Sequence, residues 1–443
     1  MKFTKGIIEF LTSISPVRLV FFGYLSYIIV GWILLCLPFA QRSSDVKSLD
    51  NLFIVVSAVS TTGLVTVDIS EHYTLFGQIV ILLLIELGGM GYMTFGSFVI
   101  LSRGRSLSEF RQGISKGVFS LPKEFRIDKF IRSVIVFTFT VELIGACALY
   151  AIFYHAGVKH PFWNSVFHSV SAFCTAGFSL FKNSMESFSG NFWLNAVIGL
   201  LSLTGAVGFI VLVDIWRRIT GKIHHITLTS NIILRMSVLL MVIGSILLFF
   251  TEPSIKSLQS ENRIMSSIFQ SMTAMTTVGF NSIPFSSLAS PSLVIILFLM
   301  IIGASPSGTG GGIKITSFTA LVGIIRSTLR GDTRVRFLGR AIPQRRVQAA
   351  MANIGFYLFV LILGIYALAL TEKSAFRDIF FEAASALGTV GLSTGITSTL
   401  SELGKIIICG LMFVGRLGPL TFAIALSAKP LLDNTEISHD VAI

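Results

Sequence analysis

The stretch FIVVSAVSTTGL at Phe53–Leu64 returns three more times, as FHSVSAFCTAGF at Phe167–Phe178, FQSMTAMTTVGF at Phe269–Phe280 and FEAASALGTVGL at Phe381–Leu392. Every copy reads Phe, three residues, Ser or Thr, Ala, two residues, Thr, one residue, Gly, then Leu or Phe. The closing glycines Gly63, Gly177, Gly279 and Gly391 are 114, 102 and 112 residues apart. A near-constant period sets the architecture before any local feature does. Four copies of a short Thr-x-Gly element in apolar surroundings bring four segments of one chain around a common axis, the arrangement by which a single chain can enclose an ion path.

The surroundings are those of a membrane protein. Hydrophobic residues make up 53% of the 443 and charged residues 13%, and the mean hydropathy is +0.81. Apolar runs of the ~20 residues needed to cross a bilayer recur along the whole length. The first of them, about Val17–Leu37, is too long for the apolar region of a cleaved signal peptide. Cys36, Cys147, Cys174 and Cys409 lie in apolar or repeat segments and form no CxxC pair, so neither a disulfide frame nor a zinc site is expected.

The net charge of +12 is unevenly placed. Eight Lys/Arg stand against three acids between Arg103 and Arg132, and seven Arg against one Asp between Arg326 and Arg346. Arg217, Arg218, Lys222 and Arg235 form a third basic linker. The positive-inside rule makes these linkers cytoplasmic and leaves the balanced ones, Gln41–Asn51 and Thr251–Arg263, outside. On a chain with many spans this topology accounts for the basic loops, and no nucleic-acid partner is expected.

Each motif is flanked by two apolar segments. The first lie near Val17–Pro38, Ser133–Tyr154, Leu228–Phe250 and Gln348–Leu370; the second near Leu75–Leu101, Phe192–Trp216, Pro291–Thr328 and Leu403–Ser427. The expected fold is therefore all-α and polytopic: four pseudo-symmetric units of helix, re-entrant pore helix and helix around a central pore, with eight spans. The unit boundaries fall at residues 1–102, 103–217, 218–328 and 329–443, the second and fourth units opening with a basic cytoplasmic linker. Eight spans put both termini on one side, and Lys2, Lys5 and Arg18 make that side the cytoplasm. From Phe to Thr each motif is nine residues, too short to span and too apolar for an exposed loop. A short helix that dips in and returns as extended chain fits, and irregular backbone at that depth must be buried in protein or line a watery path.

The motif's chemistry points to an alkali cation. Such ions are held by oxygens, and rings of backbone carbonyls can replace their hydration shell. Aiming successive carbonyls at one axis takes backbone angles that glycine adopts most cheaply. The expected carbonyl-lined site comprises Thr61, Thr62 and Gly63; Thr175, Ala176 and Gly177; Thr277, Val278 and Gly279; and Thr389, Val390 and Gly391. The short helices direct the negative ends of their dipoles below it. No carboxylate lies within the four elements, which argues against a divalent-selective ring.

A second regularity lies 24–33 residues after each closing glycine: Gly88–Gly91, Gly205–Gly208, Ser305–Gly312 and Gly415–Gly418. Units of similar build place these at one depth beneath the carbonyl site. GASPSGTGGG in the third unit carries five glycines and a proline, and cannot stay helical in mid-membrane without compensation. A loop there would occlude the path, with Ser305, Gly308, Gly310, Gly311, Gly312 and Lys314 as gate residues. Arg416 sits at the same depth, where a charge is a functional hypothesis by default. It either sets a positive barrier on the axis or holds the loop's carbonyls by hydrogen bonds. Glu86 is a candidate partner for it, Lys314 could instead snorkel to the cytoplasmic surface, and Glu142 and His168 read as structural groups.

STTGL, CTAGF, TTVGF and GTVGL resemble the four filter segments of the Trk/Ktr/HKT superfamily of cation transporters. GRLGPLTF (Gly415–Phe422) and IIGASPSGTGGGIKITSF (Ile301–Phe318) resemble that family as well, and the similarity extends over essentially the whole chain. Length and the lack of an extra N-terminal helix pair make it similar to the membrane subunit of a bacterial Ktr potassium uptake system. The resemblance implies a homodimer with one pore per subunit, a cytosolic nucleotide-binding RCK-type regulatory ring, potassium as substrate with no covalent cofactor, and sodium as an activator. In that family a serine at the first filter glycine accompanies sodium selectivity; Gly63 is retained here, which favours potassium. Two other classes compete. A sodium- or proton-coupled secondary symporter would show inverted repeats and broken helices in both halves, whereas here four units share one orientation and a single second span is strongly broken. An intramembrane hydrolase would need paired acids, a His-Glu zinc motif or an activated serine, and none is present, so no enzyme activity is expected.

Overall fold

Short helices lie at the centre and long ones around them, because the repeated motif is the most completely buried part of the chain. The computed structural model describes residues 16–42, 45–102, 127–306, 308–332, 334–337 and 340–426. The first quarter contributes α1 (Pro16–Leu35), the short α2 (Ser48–Val59) and α3 (Leu75–Ser102); the second α4 (Ile127–His155), the short α5 (Pro161–Phe173), then α6 (Phe192–Val207) and α7 (Phe209–Ile219). The third has α8 (Leu228–Thr251), the short α9 (Ser260–Thr276), α10 (Ser290–Ile301) and α11 (Ile315–Leu329). The fourth follows with α12 (Gln344–Thr371), the short α13 (Phe376–Gly388), α14 (Glu402–Leu417) and α15 (Pro419–Leu426). A two-stranded antiparallel hairpin, β1 (Arg336–Phe337) with β2 (Arg340–Ala341), lies in the arginine-rich linker. The basic stretch 103–126 and both chain ends lie outside the described residues.

The opening phenylalanine of each motif is why the short helices sit inside. Phe53, Phe167 and Phe381 are completely buried and Phe269 nearly so. The long helices turn apolar side chains outward instead: Val136, Leu143 and Ile144 on α4, Val238 and Ile246 on α8, Phe359, Ile362 and Leu370 on α12. So large an apolar exterior is a contact surface rather than a solvated one. Arg132–His155, Leu228–Thr251 and Gln344–Thr371 are each long and apolar enough to cross a bilayer unaided. The chain is a multi-pass membrane protein.

Packing runs in a circle. The second helix of each quarter lies against the short helix of the next: α3 on α5, α6 on α9, α10 on α13, and α14 back on α2. The returning seam carries an ion pair. Lys405 Nζ on α14 lies 2.6 Å from Asp50 Oδ1 on α2, with both side chains largely buried. A charge taken from water needs such a partner.

The expectation that only one second segment is strongly broken needs correction, since the second apolar segment of every quarter breaks. In the third quarter the break is a loop between α10 and α11. In the others a single glycine with positive φ suffices: Gly91 (φ 77°), Gly208 (φ 93°) and Gly418 (φ 82°). The sequence signal was there, but one glycine in a helical run is usually tolerated, so only the five-glycine stretch stood out. Counting broken helices therefore does not separate a pore from a rocking carrier.

Candidate ion path

The four motif turns are built alike, hydrogen bond by hydrogen bond. The Thr after each short helix is left-handed: Thr61 (φ 50°), Thr175 (φ 52°), Thr277 (φ 58°) and Thr389 (φ 49°). Its N–H donates to the motif alanine, Thr61 to Ala58 O at 3.0 Å and Thr389 to Ala386 O at 3.1 Å, with Ala172 and Ala274 serving the other two. The next N–H reaches one residue further back, Thr62 to Ser57 O, Ala176 to Ser171 O and Val390 to Ser385 O at 2.8 Å each, and Val278 to Thr273 O at 3.2 Å. This pair of bonds is the Schellman helix ending, in which the left-handed position is normally glycine. A β-branched residue there costs about 1–2 kcal/mol. Strain of this kind, repeated four times, is retained at sites where the side chain has work; glycine would relieve it and lose the hydroxyl.

The motif serine, present in the sequence only as part of the repeat, has a task of its own. Ser57 Oγ accepts the Gly63 N–H at 3.0 Å, and Ser385 Oγ accepts the Gly391 N–H at 3.1 Å. Ser171 instead donates to Phe178 O at 2.8 Å, one residue past its glycine. The helix side chain thus fixes the tilt of the peptide beyond the turn. The signal that could have found it was the spacing, Ser six residues before Gly.

The glycines close a ring. A Cβ built on Gly63 would collide with the Ala176 carbonyl oxygen, one on Gly177 with that of Val278, one on Gly279 with that of Val390, and one on Gly391 with that of Thr62. All four have φ between 66° and 94°. Each glycine is therefore the bare surface on which the next quarter's carbonyl rests, and the order returns to its start. The twelve residues expected at the carbonyl site are brought together in this ring.

Beneath the ring lies the α10–α11 loop, touching all four threonines. Thr309 O accepts from Thr61 Oγ1 at 3.3 Å. Thr309 Oγ1 meets Thr175 Oγ1 at 3.0 Å and donates to Phe173 O at 3.2 Å. Gly311 N–H donates to Thr277 Oγ1 at 3.2 Å, and a Cβ on Gly311 would strike Thr389 Oγ1. The loop is anchored on the α6 end, whose last carbonyls lack helical partners. Ser305 N–H donates to Ala206 O at 3.1 Å, Thr309 N–H to Gly205 O at 3.1 Å, and Ser305 Oγ to Ala206 O at 3.0 Å and to Val207 O. Gly308 and Gly310 permit the approach, since side chains there would meet Ala206 O and Thr277 Oγ1 respectively. Gly312 turns the chain back with φ 69°. Thr309, the loop's contact residue, was missed from sequence; it is the one side chain inside a run of glycines from Gly308 to Gly312.

Arg416 holds the loop from the other side. Its guanidinium donates to Thr61 Oγ1 at 2.9 Å, to Thr309 O, to Gly88 O and, at 3.4 Å, to Gly89 O. Of the two roles open from sequence, carbonyl holding is directly visible. Lys314 does not snorkel outward: Nζ donates to Gly310 O at 2.6 Å within its own loop. Nor does Glu86 pair with Arg416. It accepts from Cys174 Sγ at 3.4 Å and clusters with Glu142, and among the described residues no ion pair joins it to the arginine. Carbonyls take the guanidinium's donors, so a carboxylate is not needed to hold it. Gly88, Gly205 and Gly415 occupy equivalent places, each facing the last carbonyls of its own quarter's short helix: Val59, Phe173 and Leu387.

This ring and plug can be set beside known proteins. The family TrkH, described as cation transport protein, matches residues 26–435. The chain belongs to the TrkH family. It is a transporter and not an enzyme. Among TrkH relatives, the Ktr system potassium uptake protein B of Bacillus subtilis (strain 168) is 34% identical over 92% of both chains. The protein of the same name from Vibrio alginolyticus is 33% identical over 93% of this chain and 91% of its own. The potassium/sodium uptake protein NtpJ of Enterococcus hirae is 34% identical over 94% of each. The crystal structure of the potassium transporter TrkH from Vibrio parahaemolyticus superposes with a TM-score of 0.72 at 22% identity, covering 92% of this chain and 85% of that one, a likeness of fold.

Proposed function

We propose that the chain carries potassium into the cell across the cytoplasmic membrane, through the ring of carbonyls at Thr62, Ala176, Val278 and Val390 and their neighbouring threonines and glycines. The closed order of the ring carries the proposal: four glycines, each bare to the next quarter's carbonyl, gather four backbone oxygens into one ring, and none of the twelve residues carries a charge. Such a lining suits a monovalent cation shedding water. In this reading the twelve residues are the filter, and the loop residues Ser305, Gly308, Gly310, Gly311, Gly312 and Lys314, joined by Thr309 and held by Arg416 of α14, are the gate, here closed against the threonine hydroxyls. The quarters are four pseudo-symmetric units, 1–102, 103–217, 218–328 and 329–443, each with two spans and a re-entrant helix, so both termini lie in the cytoplasm. A homodimer, a cytosolic RCK-type ring and activation by sodium are what the resemblance to Ktr systems implies.

Rubidium uptake into proteoliposomes tests this, with potassium or sodium as competitor and with sodium present or absent outside. Potassium competing far better than sodium is expected; equal competition would overturn the filter. For topology, Ser257→Cys in a cysteine-free background should react with an impermeant thiol reagent in whole cells, and Gln344→Cys should not. Labelling of the latter from outside would remove the eight-span arrangement.

A further inference from the structure

Behind each turn stands a residue that the motif leaves variable, nine positions before the closing glycine: Ile54, His168, Gln270 and Glu382. All four are completely buried. Three of them hydrogen-bond the strand that leaves the ring. His168 Nδ1 is 2.8 Å from the Asn164 carbonyl, which can only accept, so the proton sits on Nδ1 and Nε2 is bare. Nε2 accepts from Ser179 Oγ at 3.0 Å and from Leu180 N–H at 3.4 Å, while Ser179 Oγ accepts the Phe181 N–H at 2.9 Å. Gln270 Nε2 donates to Ser282 Oγ at 2.9 Å. Glu382 accepts from Ser393 Oγ at 2.8 Å and from Thr397 Oγ1, and Ser393 Oγ accepts the Gly395 N–H at 3.0 Å. The partners Ser179 and Ser393 each stand two residues past a ring glycine, and Ser282 three past. In the first quarter the corresponding pair is apolar: Ile54 lies in the core and Val65 packs against it.

We infer that His168, Gln270 and Glu382 are positioning residues for the ion path. Each is a buried brace that fixes the outgoing strand, and so the aim of the carbonyls, in three quarters, while in the first quarter the residue at this position contributes packing only. A buried polar group is costly unless bonded, so apolar residues such as Ile54 would serve folding as well; three different polar groups aimed at the same strand position point to strand geometry instead. The inference deepens the filter reading and rests on it.

Potassium and sodium uptake by proteoliposomes tests it, with folded yield followed by size-exclusion of the detergent-solubilised protein. Loss of a hydrogen bond that holds one carbonyl in register should lower the potassium-to-sodium preference about three- to tenfold, the scale of one neutral hydrogen bond. That loss is expected for Glu382→Leu and His168→Leu, with maximal potassium flux little changed, and Glu382→Gln should recover most of the preference. Should the leucine variants not fold, Ser393→Ala and Ser179→Ala remove the same bonds from the strand side. Installing a brace in the first quarter, Ile54→Gln with Val65→Ser, should leave potassium uptake intact and sharpen the preference. Gly63→Ser is the control that separates the two ideas. Gly63→Ser losing selectivity while the folded serine-to-alanine variants keep it would overturn the braces alone; all variants keeping wild-type selectivity would overturn the filter reading itself.

Discussion

The ring of motif turns and the breaks just below it are both made from four equivalent stretches of chain, yet they differ in how alike the four are. In the ring, the left-handed Thr, the paired N–H bonds and the bare glycine recur in every quarter. In the layer beneath, three quarters break at one glycine and the fourth opens into a loop that reaches all four threonines. A cation on the axis is best surrounded by oxygens from every side, which favours likeness. Occluding the axis takes only one segment, and a second segment there would compete for the same space. On the proposed reading, likeness belongs to recognition and unlikeness to control.

The largest effect should come from breaking likeness in the ring. Replacing Gly63, Gly177, Gly279 or Gly391 by Ser forces a side chain onto the neighbour's carbonyl as well as into an unfavourable φ. Preference for potassium over sodium should fall on the order of tenfold or more, since ~1.4 kcal/mol of differential binding is tenfold. Competition assays giving wild-type preference in all four variants would show that the glycines serve packing alone.

Next comes the plug. Arg416→Ala removes charge-assisted bonds to Thr309 and Thr61, each worth ~1.5–3 kcal/mol, so the closed state should be weakened and rubidium flux should rise about tenfold with selectivity preserved. Thr309→Gly should act the same way, more weakly. Variants that fold normally yet conduct no faster than wild type would sink the gate. A change in selectivity at constant flux would move the loop to the recognition side of the comparison.

A smaller effect is expected from the side chains that support the ring from within its own short helices. Ser57→Ala and Ser385→Ala each remove one neutral bond to a ring glycine and should lower the potassium-to-sodium ratio about three- to fivefold. Selectivity unmoved in both would mean that the Schellman bonds alone hold the turns.

Much of this was legible from the amino acids, and the reasons are physical. Repetition revealed the ring, because carbonyl chemistry around an axis imposes the same Thr-x-Gly on every quarter. The five-glycine stretch revealed the plug for the converse reason, that no membrane helix tolerates such a run. Legibility ended where geometry depends on partners far along the chain. Nothing local to Thr309 says that it meets Thr61 and Thr175, and nothing near Glu86 says that it turns to Cys174 and away from Arg416. The breaks at Gly91, Gly208 and Gly418 were hidden because one glycine looks the same in an intact helix and a broken one; only its φ differs.

The smallest expected effect on transport lies at the seam between the last quarter and the first, where the cost is to stability. Lys405→Met leaves Asp50 unpaired, and breaking this largely buried pair should cost about 1–3 kcal/mol, less than a fully buried pair because both groups keep some exposure. The thermal midpoint in detergent should fall by a few degrees, and Asp50→Asn in the same chain should restore most of it. An unchanged midpoint in the single variant would mean that packing of α14 on α2 closes the circle without the charges.

That seam has a consequence for biogenesis. Lys405 and Asp50, like Arg416 and Thr61, are 355 residues apart in the chain. At translation rates of about 5–20 residues per second, the first quarter waits tens of seconds in the membrane for the contacts that complete it. Throughout that time the flank of α2 that will receive α14 stands open, with Asp50 unneutralised. Whatever the insertion machinery or the lipid does for that flank must be reversible, because α14, made some 355 residues later, has to displace it.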